Sequence, residues 1–339
     1  MSELSDLADE YRDALVAYVK SPDESGRARA YELGSRAVRA RVGLLELVAT
    51  HQATVAGFPG DPDMRRLVVS ACDFLRESLS TYEMTQSGYR EAQERAAIAH
   101  DIALTLQRSL LPGDLPAPTG LELAVRYLPA GPEVEVGGDW YDLVELGARR
   151  VGLVVGDVMG HGIHQAAAMG QLRLGLRAYL LEHHPIDEVV RRTDVLLQSL
   201  GEVQTATMVL AVVDLAVPTL SLVNAGHPAP VLIEPSGAAS FVTGGHGRLL
   251  GLHRDQAQPV LDPLPLAPGS SILLYTDGLI DGYERAGADG LEHLRLTLDG
   301  FSGSPDELCD HVTEEMVDGE RGDDVCLLAV RVTGQPDDG

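Results

Sequence analysis

The aspartates with the most chemical promise stand beside glycine in four short clusters: Gly137-Gly138-Asp139, Gly156-Asp157-Val158-Met159-Gly160-His161-Gly162, Thr276-Asp277-Gly278 and Gly322-Asp323-Asp324. In the second and third, an apolar run leads straight into the acid: Val151–Val155 into Asp157, and Ile272–Tyr275 into Asp277. Such runs read as strands, so the carboxylates are expected at strand ends, pointing out of the sheet edge, with glycine letting the backbone turn away. Asp-Gly is also an ordinary turn signal, and any one cluster alone reads as a turn. Four in one domain suggest a set of hard oxygen ligands, which suit Mg²⁺ or Mn²⁺.

The elements that must position these acids lie beyond Pro118. Leu121–Leu128 reads as a strand, and Trp140–Leu146 with Val151–Val155 as a hairpin. Residues 162–182 and 185–200 read as helices. Thr207–Val213, Leu220–Val223, Pro230–Ile233 and Ser271–Tyr275 are further strand-like runs, followed by helical stretches at 288–299 and 305–318 and a closing strand at Val325–Val332. Hairpins interleaved with long helices predict an α+β domain, antiparallel sheet with helices on its faces.

The front of the chain has a different texture. Leu4, Leu7, Tyr11, Leu15 and Tyr18 form a helical stripe, Ser21-Pro22-Asp23 ends it, and further apolar periodicity follows around Tyr31–Val38, Leu44–His51 and Met64–Leu75, with a break at Phe58–Pro62. Four short amphipathic helices predict a helical bundle. Residues 83–111 contain no proline, and Ile98, Ile102, Leu106 and Leu110 recur every fourth position. That stripe fits either pairing with a second copy in a homodimer or packing on the next domain. The expected organisation is a helical regulatory, partner-binding domain at 1–82, a helical linker at 83–118, a catalytic domain at 119–333 and a tail at 334–339.

Composition narrows the function. The net charge is −25, and it is uneven: residues 1–112 hold 17 acids and 13 bases, leaving 34 acids against 13 bases for the rest. Such a surface repels nucleic acid and anionic membranes. Lys20 is the only lysine and follows no glycine-rich loop, so a Walker A nucleotide site and a pyridoxal Schiff base are both excluded. Cys72, Cys309 and Cys326 form no CxxC motif, and their sparse number fits a reducing compartment. The acidic N-terminus reads as no signal peptide and no apolar run is long enough to span a bilayer, so a cytoplasmic protein is expected.

The motifs in their order, VGGDWYD (136–142), GDVMGHG (156–162), AAAM (166–169), NAGHP (224–228), LLYTDG (273–278) and GDDVCLL (322–328), resemble the SpoIIE-type branch of the PPM, or PP2C-like, serine/threonine phosphatases. The resemblance runs over about 105–333 and starts at the LQRSLLP lead-in (106–112). It implies a PP2C-like αββα sandwich, two antiparallel sheets flanked by helices, and two Mn²⁺ or Mg²⁺ ions. Asp157 would bridge both ions with the Val158 backbone carbonyl as a further ligand, Asp139 would bind directly or through water, and Asp277 and Asp323 would complete the set, with Asp324 the rival of Asp323. Water acidified by two cations then attacks phosphorus in line, with no covalent phosphoenzyme. His161 could protonate the leaving serine oxygen or simply fix the Gly160–Gly162 turn, and Asn224 and His227 are expected to shape a turn. Cys326 replaces a usual threonine and Asp281 a common glutamate.

YELGSRAV (31–38), LLELVATHQ (44–52), FLRESLSTYEM (74–84) and GYREA (88–92) resemble the helical front of RsbU-type stress-response phosphatases. This implies an activating protein partner at the N-terminal domain. The implied substrate is a phosphorylated STAS-type anti-sigma factor antagonist, within a partner-switching pathway that controls a sigma factor. A catalytically silent phosphoprotein-binding scaffold and a phosphohydrolase of another substrate class are the alternatives.

Overall fold

The computed structural model describes residues 2–57, 64–113, 115–116, 118–131, 136–147, 149–201, 205–252, 258–285, 289–317 and 322–333. The expected break at Phe58–Pro62 and the expected tail at 334–339 lie outside the described residues. The chain divides into two compact units, Met1–Ile98 and Ala99–Gly339.

In the first unit, α1 (Ser2–Lys20), α2 (Glu24–Arg39), α3 (Leu44–Ala56) and the beginning of α4 (Met64–Leu110) share one core. Leu7, Tyr11, Leu15 and Tyr18 of the α1 stripe pack with Leu33, Leu47 and Phe74. Asp23 caps α2 by accepting from the Gly26 amide at 2.7 Å, which is why the chain restarts a helix directly after Pro22. The fourth helix is not short: α4 runs for 47 residues, so the Met64–Leu75 segment and the proline-free stretch to Leu110 are one element. Nothing between them removes a backbone donor, and the single glycine, Gly88, costs the helix only about 1 kcal/mol.

The second unit is a two-sheet sandwich. One sheet has the order β1 (Leu121–Leu128), β10 (Val325–Val332), β9 (Ser271–Tyr275), β6 (Val231–Ile233) and β7 (Ala239–Phe241). The other has the order β2 (Asp139–Glu145), β3 (Arg150–Val158), β4 (Ala206–Asp214), β5 (Thr219–Ala225) and β8 (Leu264–Pro265). Every pairing is antiparallel. Leu143, Leu153, Val155 and Val209 of one sheet meet Ile272, Leu274 and Leu328 of the other between the layers. The alternate residues are buried too. Val154 and Leu210 pack under α5 (Ile163–Leu181) and α6 (Ile186–Ser199), while Leu273 and Leu327 pack under α8 (Gly290–Leu298) and α9 (Pro305–Met316). Burial on both faces explains why β3, β4 and β10 read as continuous apolar runs rather than alternating ones. The architecture is therefore the expected αββα sandwich preceded by helices. The two strands β7 and β8 are too short to show a period, and the helix α7 (Gly278–Arg285) begins right after the third acidic cluster.

Candidate metal centre

Asp139 opens β2 and Asp157 lies one residue before the end of β3, and the ladder register sets them directly opposite each other. Directly opposed side chains on one face of an antiparallel pair have Cβ atoms about 4.5–5.5 Å apart. Asp139 is 2% exposed, and one of its oxygens, Oδ2, has no hydrogen-bond partner. The ladder continues as the Val158 amide donates to the Gly138 carbonyl at 3.2 Å. Gly138 is required here because a Cβ at that position would collide with the Val158 carbonyl.

The other two acids arrive from the other sheet. Asp277 follows β9 and starts α7, its carbonyl accepting from the Ile280 and Asp281 amides at 2.8 and 2.9 Å. Asp323 precedes β10 and is exposed. The Thr276 hydroxyl accepts from the Cys326 amide at 2.9 Å, tying the end of β9 to the start of β10. A Cβ on Gly278 would collide with the Asp324 carbonyl and lie 3.4 Å from the Asp323 Cβ, so glycine at this position lets the two turns approach.

These acids act on one another electrostatically. Burial, then the charge of Asp157, then that of Asp324, push the Asp139 carboxyl well above its usual range, and the Thr276 side chain opposes this. Asp157 is pushed up to about 7 by burial and by the neighbouring charges of Asp277, Asp323 and Asp324, partly offset by a hydrogen bond with Asp139. Asp277 is raised by burial and by Asp281 and Asp323. Facing carboxylates of this kind repel unless a proton or a cation lies between them. An orphaned buried oxygen, mutually raised carboxyls and an all-oxygen donor set fit Mg²⁺ or Mn²⁺. Among the described residues, no three His, Cys, Asp or Glu side chains close around a single point. Mg²⁺ does not demand that, since it keeps several waters and takes one or two carboxylates.

The remaining motif residues have different surroundings. Asp324 is 1% exposed, and its carboxylate is directed into the domain: Oδ2 accepts from the Tyr127 hydroxyl at 2.5 Å and the Gln107 amide at 2.6 Å, and Oδ1 from the Ala130 amide at 2.8 Å. His161 stands exposed on the turn before α5. His227 is fully enclosed, bonded through Nδ1 to the Thr207 hydroxyl at 2.7 Å and through Nε2 to the Tyr275 carbonyl at 3.1 Å. The carbonyl can only accept, so Nε2 carries the proton and Nδ1 accepts. Asn224 closes the turn by accepting from the His227 amide at 2.7 Å and donating to its carbonyl at 2.9 Å. These two residues build a turn, as expected. Two features escaped the sequence reading. Gln107 and Tyr127 enter the Asp324 network, and buried Asp142 carries two cations, accepting from Arg173 at 3.2 Å and Arg177 at 2.6 Å. The only available signals were a polar residue inside LQRSLLP and the last letter of VGGDWYD.

The profile of the family described as "Stage II sporulation protein E (SpoIIE)" matches residues 147–333, more than half of the chain. The chain belongs to the SpoIIE family. A second profile, "Phosphoserine phosphatase RsbU, N-terminal domain", matches residues 9–85. Among curated relatives, Protein IcfG of Synechocystis sp. is 28% identical over 258 residues, covering 66% of this chain and 40% of that protein. Phosphoserine phosphatase RsbP of Bacillus subtilis is 27% identical over 152 residues, covering 43% and 37%. The matched region thus spans only about two-fifths of these relatives' own length. Among solved structures, the RsbU and RsbW domains of Rv1364c from Mycobacterium tuberculosis align with a TM-score of 0.57 at 31% identity, covering 67% of this chain and 64% of that one. The PP2C phosphatase domain of SpoIIE from Bacillus subtilis aligns at 0.56 with 20% identity, covering 64% of each chain, and shares the fold. This SpoIIE-family member is thus a PP2C-like sandwich behind an RsbU-type helical domain.

Proposed function

We propose that this SpoIIE-family chain is a Mn²⁺- or Mg²⁺-dependent protein serine/threonine phosphatase. The observation that carries the reading is the facing pair Asp139–Asp157, coupled electrostatically to Asp277 and Asp323 on the opposite sheet. Asp139, Asp157, Asp277, Asp323 and the Val158 carbonyl would hold the ions. When bound, two divalent cations supply an acidified water and neutralise phosphate oxygens. The protein's own part is to fix four acids at strand ends and to keep Asp139 shielded from water. Asp323 and His161 are both exposed, and a phosphorylated segment of another protein would approach from the solvent side. His161, exposed on the turn after Asp157, would pass a proton to the leaving oxygen.

The finer reading is a phosphatase of a partner-switching sigma-factor pathway. Its substrate is a phosphorylated STAS-type anti-sigma factor antagonist. An activating protein binds the helical domain at 1–82, and the linker at 83–118 passes the signal to 119–333, with a homodimer formed through that linker. The RsbU-type N-terminal match and the similarity to RsbP support this reading. A cytoplasmic location accords with it, and no helix among the described residues is long and apolar enough to cross a membrane.

The test is phosphate release from a phosphoserine peptide by the full chain. Release should require Mn²⁺ or Mg²⁺ and vanish in Asp157→Asn. Binding of the phosphopeptide without any turnover at saturating Mn²⁺ would identify a scaffold instead. For the gating, deletion of residues 1–82 should raise the basal rate at fixed Mn²⁺.

A further inference from the structure

Gln107 belongs to the last turns of α4, among Ala103, Leu110 and Leu111, yet it is fully buried. Its amide nitrogen lies 2.6 Å from the Tyr127 hydroxyl, 2.6 Å from Asp324 Oδ2 and 3.1 Å from the Gly137 carbonyl. Its own Oε1 has no partner. The orientation is forced by chemistry, since an amide oxygen turned toward Asp324 would put two acceptors together. The three groups it holds come from three parts of the sandwich: β1, the segment leading into Asp139, and the turn that carries Asp323. Tyr127 also reaches Asp324, at 2.5 Å, and the Ala130 amide caps the other oxygen. The Asp324 amide in turn donates to Asp323 Oδ1 at 2.8 Å. One side chain therefore bonds both the residue two before Asp139 and the residue after Asp323.

We propose that Gln107 is a positioning residue that sets divalent-metal affinity. It clamps Asp324 and Gly137 together and so fixes the spacing between Asp139 and Asp323. The proposal rests on the metal-dependent reading of the carboxylate cluster. In this reading Asp324, bonded by Tyr127, Gln107 and the Ala130 amide, is the anchor behind Asp323, the proposed ligand. Residues that orient ligands from behind typically change metal affinity by about 10–100-fold when replaced. Leucine at 107 would keep the apolar packing of the helix end and remove only the amide.

Mn²⁺ binding to the full chain, followed by the paramagnetic resonance of free Mn²⁺, tests this, with thermal unfolding in chelator as the control for folding. Gln107→Leu should raise the Mn²⁺ Kd about tenfold or more, as expected for a residue behind the ligands. Melting in chelator should move only a few degrees, and kcat should recover at saturating Mn²⁺. A Kd within twofold of the unmodified chain overturns the proposal. Tyr127→Phe, which deletes one hydroxyl, is the second variant in case Gln107→Leu does not fold. It should raise Kd in the same direction and for the same reason, and an unchanged value counts against the clamp. In an Asp324→Asn background the effect of Gln107→Leu should shrink below twofold, and a full tenfold effect there means Gln107 does not act through Asp324. Asp157→Asn separates the two readings. If it binds Mn²⁺ like the unmodified chain, the metal reading itself fails. If it loses the metal while Gln107→Leu retains it, only the role of Gln107 fails.

Discussion

Asp139 and Asp157 are register partners at the end of the β2–β3 ladder, and the charge of Asp157 raises the Asp139 carboxyl. Two strand ends thus bring like charges together, against the electrostatic preference of the chain. That arrangement costs stability until a cation or a proton occupies the gap, as expected of a binding site that is not optimised for folding alone.

Asp157→Asn should therefore abolish phosphate release and at the same time stabilise the metal-free protein. Asp157 is raised to about 7 from an ordinary value of 3.8, so the folded state holds its proton more tightly than the unfolded state does. Between those two values stability falls as pH rises, and above pH 7 the repulsion is fully present. The gain from the substitution should be about 1–2 kcal/mol at pH 8, after discounting for solvent near the pocket, and should fade toward pH 5. Thermal unfolding of both proteins in chelator at the two pH values measures it. Equal melting temperatures at pH 8 would argue that Asp157 carries no such strain.

Mn²⁺ should reverse the same penalty. Adding the ion at pH 7.5 should raise the melting temperature of the unmodified chain and release protons, because carboxyls held partly protonated by their neighbours must ionise to bind it. Calorimetric titration in two buffers of different ionisation enthalpy reads the proton count. A count of zero would contradict the raised values at Asp139 and Asp157.

The positions of the candidate acids were legible in the sequence because acid–glycine pairs at the ends of apolar runs report backbone geometry directly. β2, β3, β9 and β10 are fixed by local patterns, and Asp139, Asp157, Asp277 and Asp323 follow from where those patterns stop. The parts that were not legible depend on long-range contacts. Strands β7 and β8 have three and two residues, too few for a period to show. The difference between Asp323 and Asp324 is set by Gln107, 217 positions away from Asp324, and by Tyr127. Two adjacent aspartates look alike in sequence, and only the donors facing them distinguish one from the other.

Asp142 illustrates the same point in the core beneath α5, and it gives a stability prediction. Its carboxylate is fully buried, bonded to Arg173, whose side chain is 11% exposed, and to Arg177. Asp142→Ala leaves a largely buried guanidinium without its counter-charge and should cost about 3–5 kcal/mol. The double variant Asp142→Ala with Arg173→Met should recover part of that loss, because it removes the stranded charge. Urea unfolding of the three proteins checks both statements. If the double variant is less stable than the single one by the full cost of a second core substitution, the arginine is not stranded in the single variant.

His227 gives the acid limit of the fold. Burial pushes its imidazole down to about 3, with the Tyr275 carbonyl opposing that shift only in part. The folded state therefore keeps the ring neutral, while the unfolded state takes up a proton below its ordinary value of 6.5. The sign follows: the contribution is fully present above pH 6.5 and is lost progressively as pH falls toward 3. The site is two-sided, since Thr207 needs an acceptor at Nδ1 and Tyr275 a donor at Nε2, and imidazolium can supply only the second. His227→Gln should be less stable at pH 7.5, because glutamine cannot fill the ring's space, but its loss of stability between pH 6.5 and 4 should be shallower than that of the unmodified chain. Chemical unfolding midpoints across that range, compared as slopes rather than absolute values, isolate the imidazole from the carboxylates that titrate in both proteins. Parallel slopes would show that His227 accepts its proton without unfolding the turn.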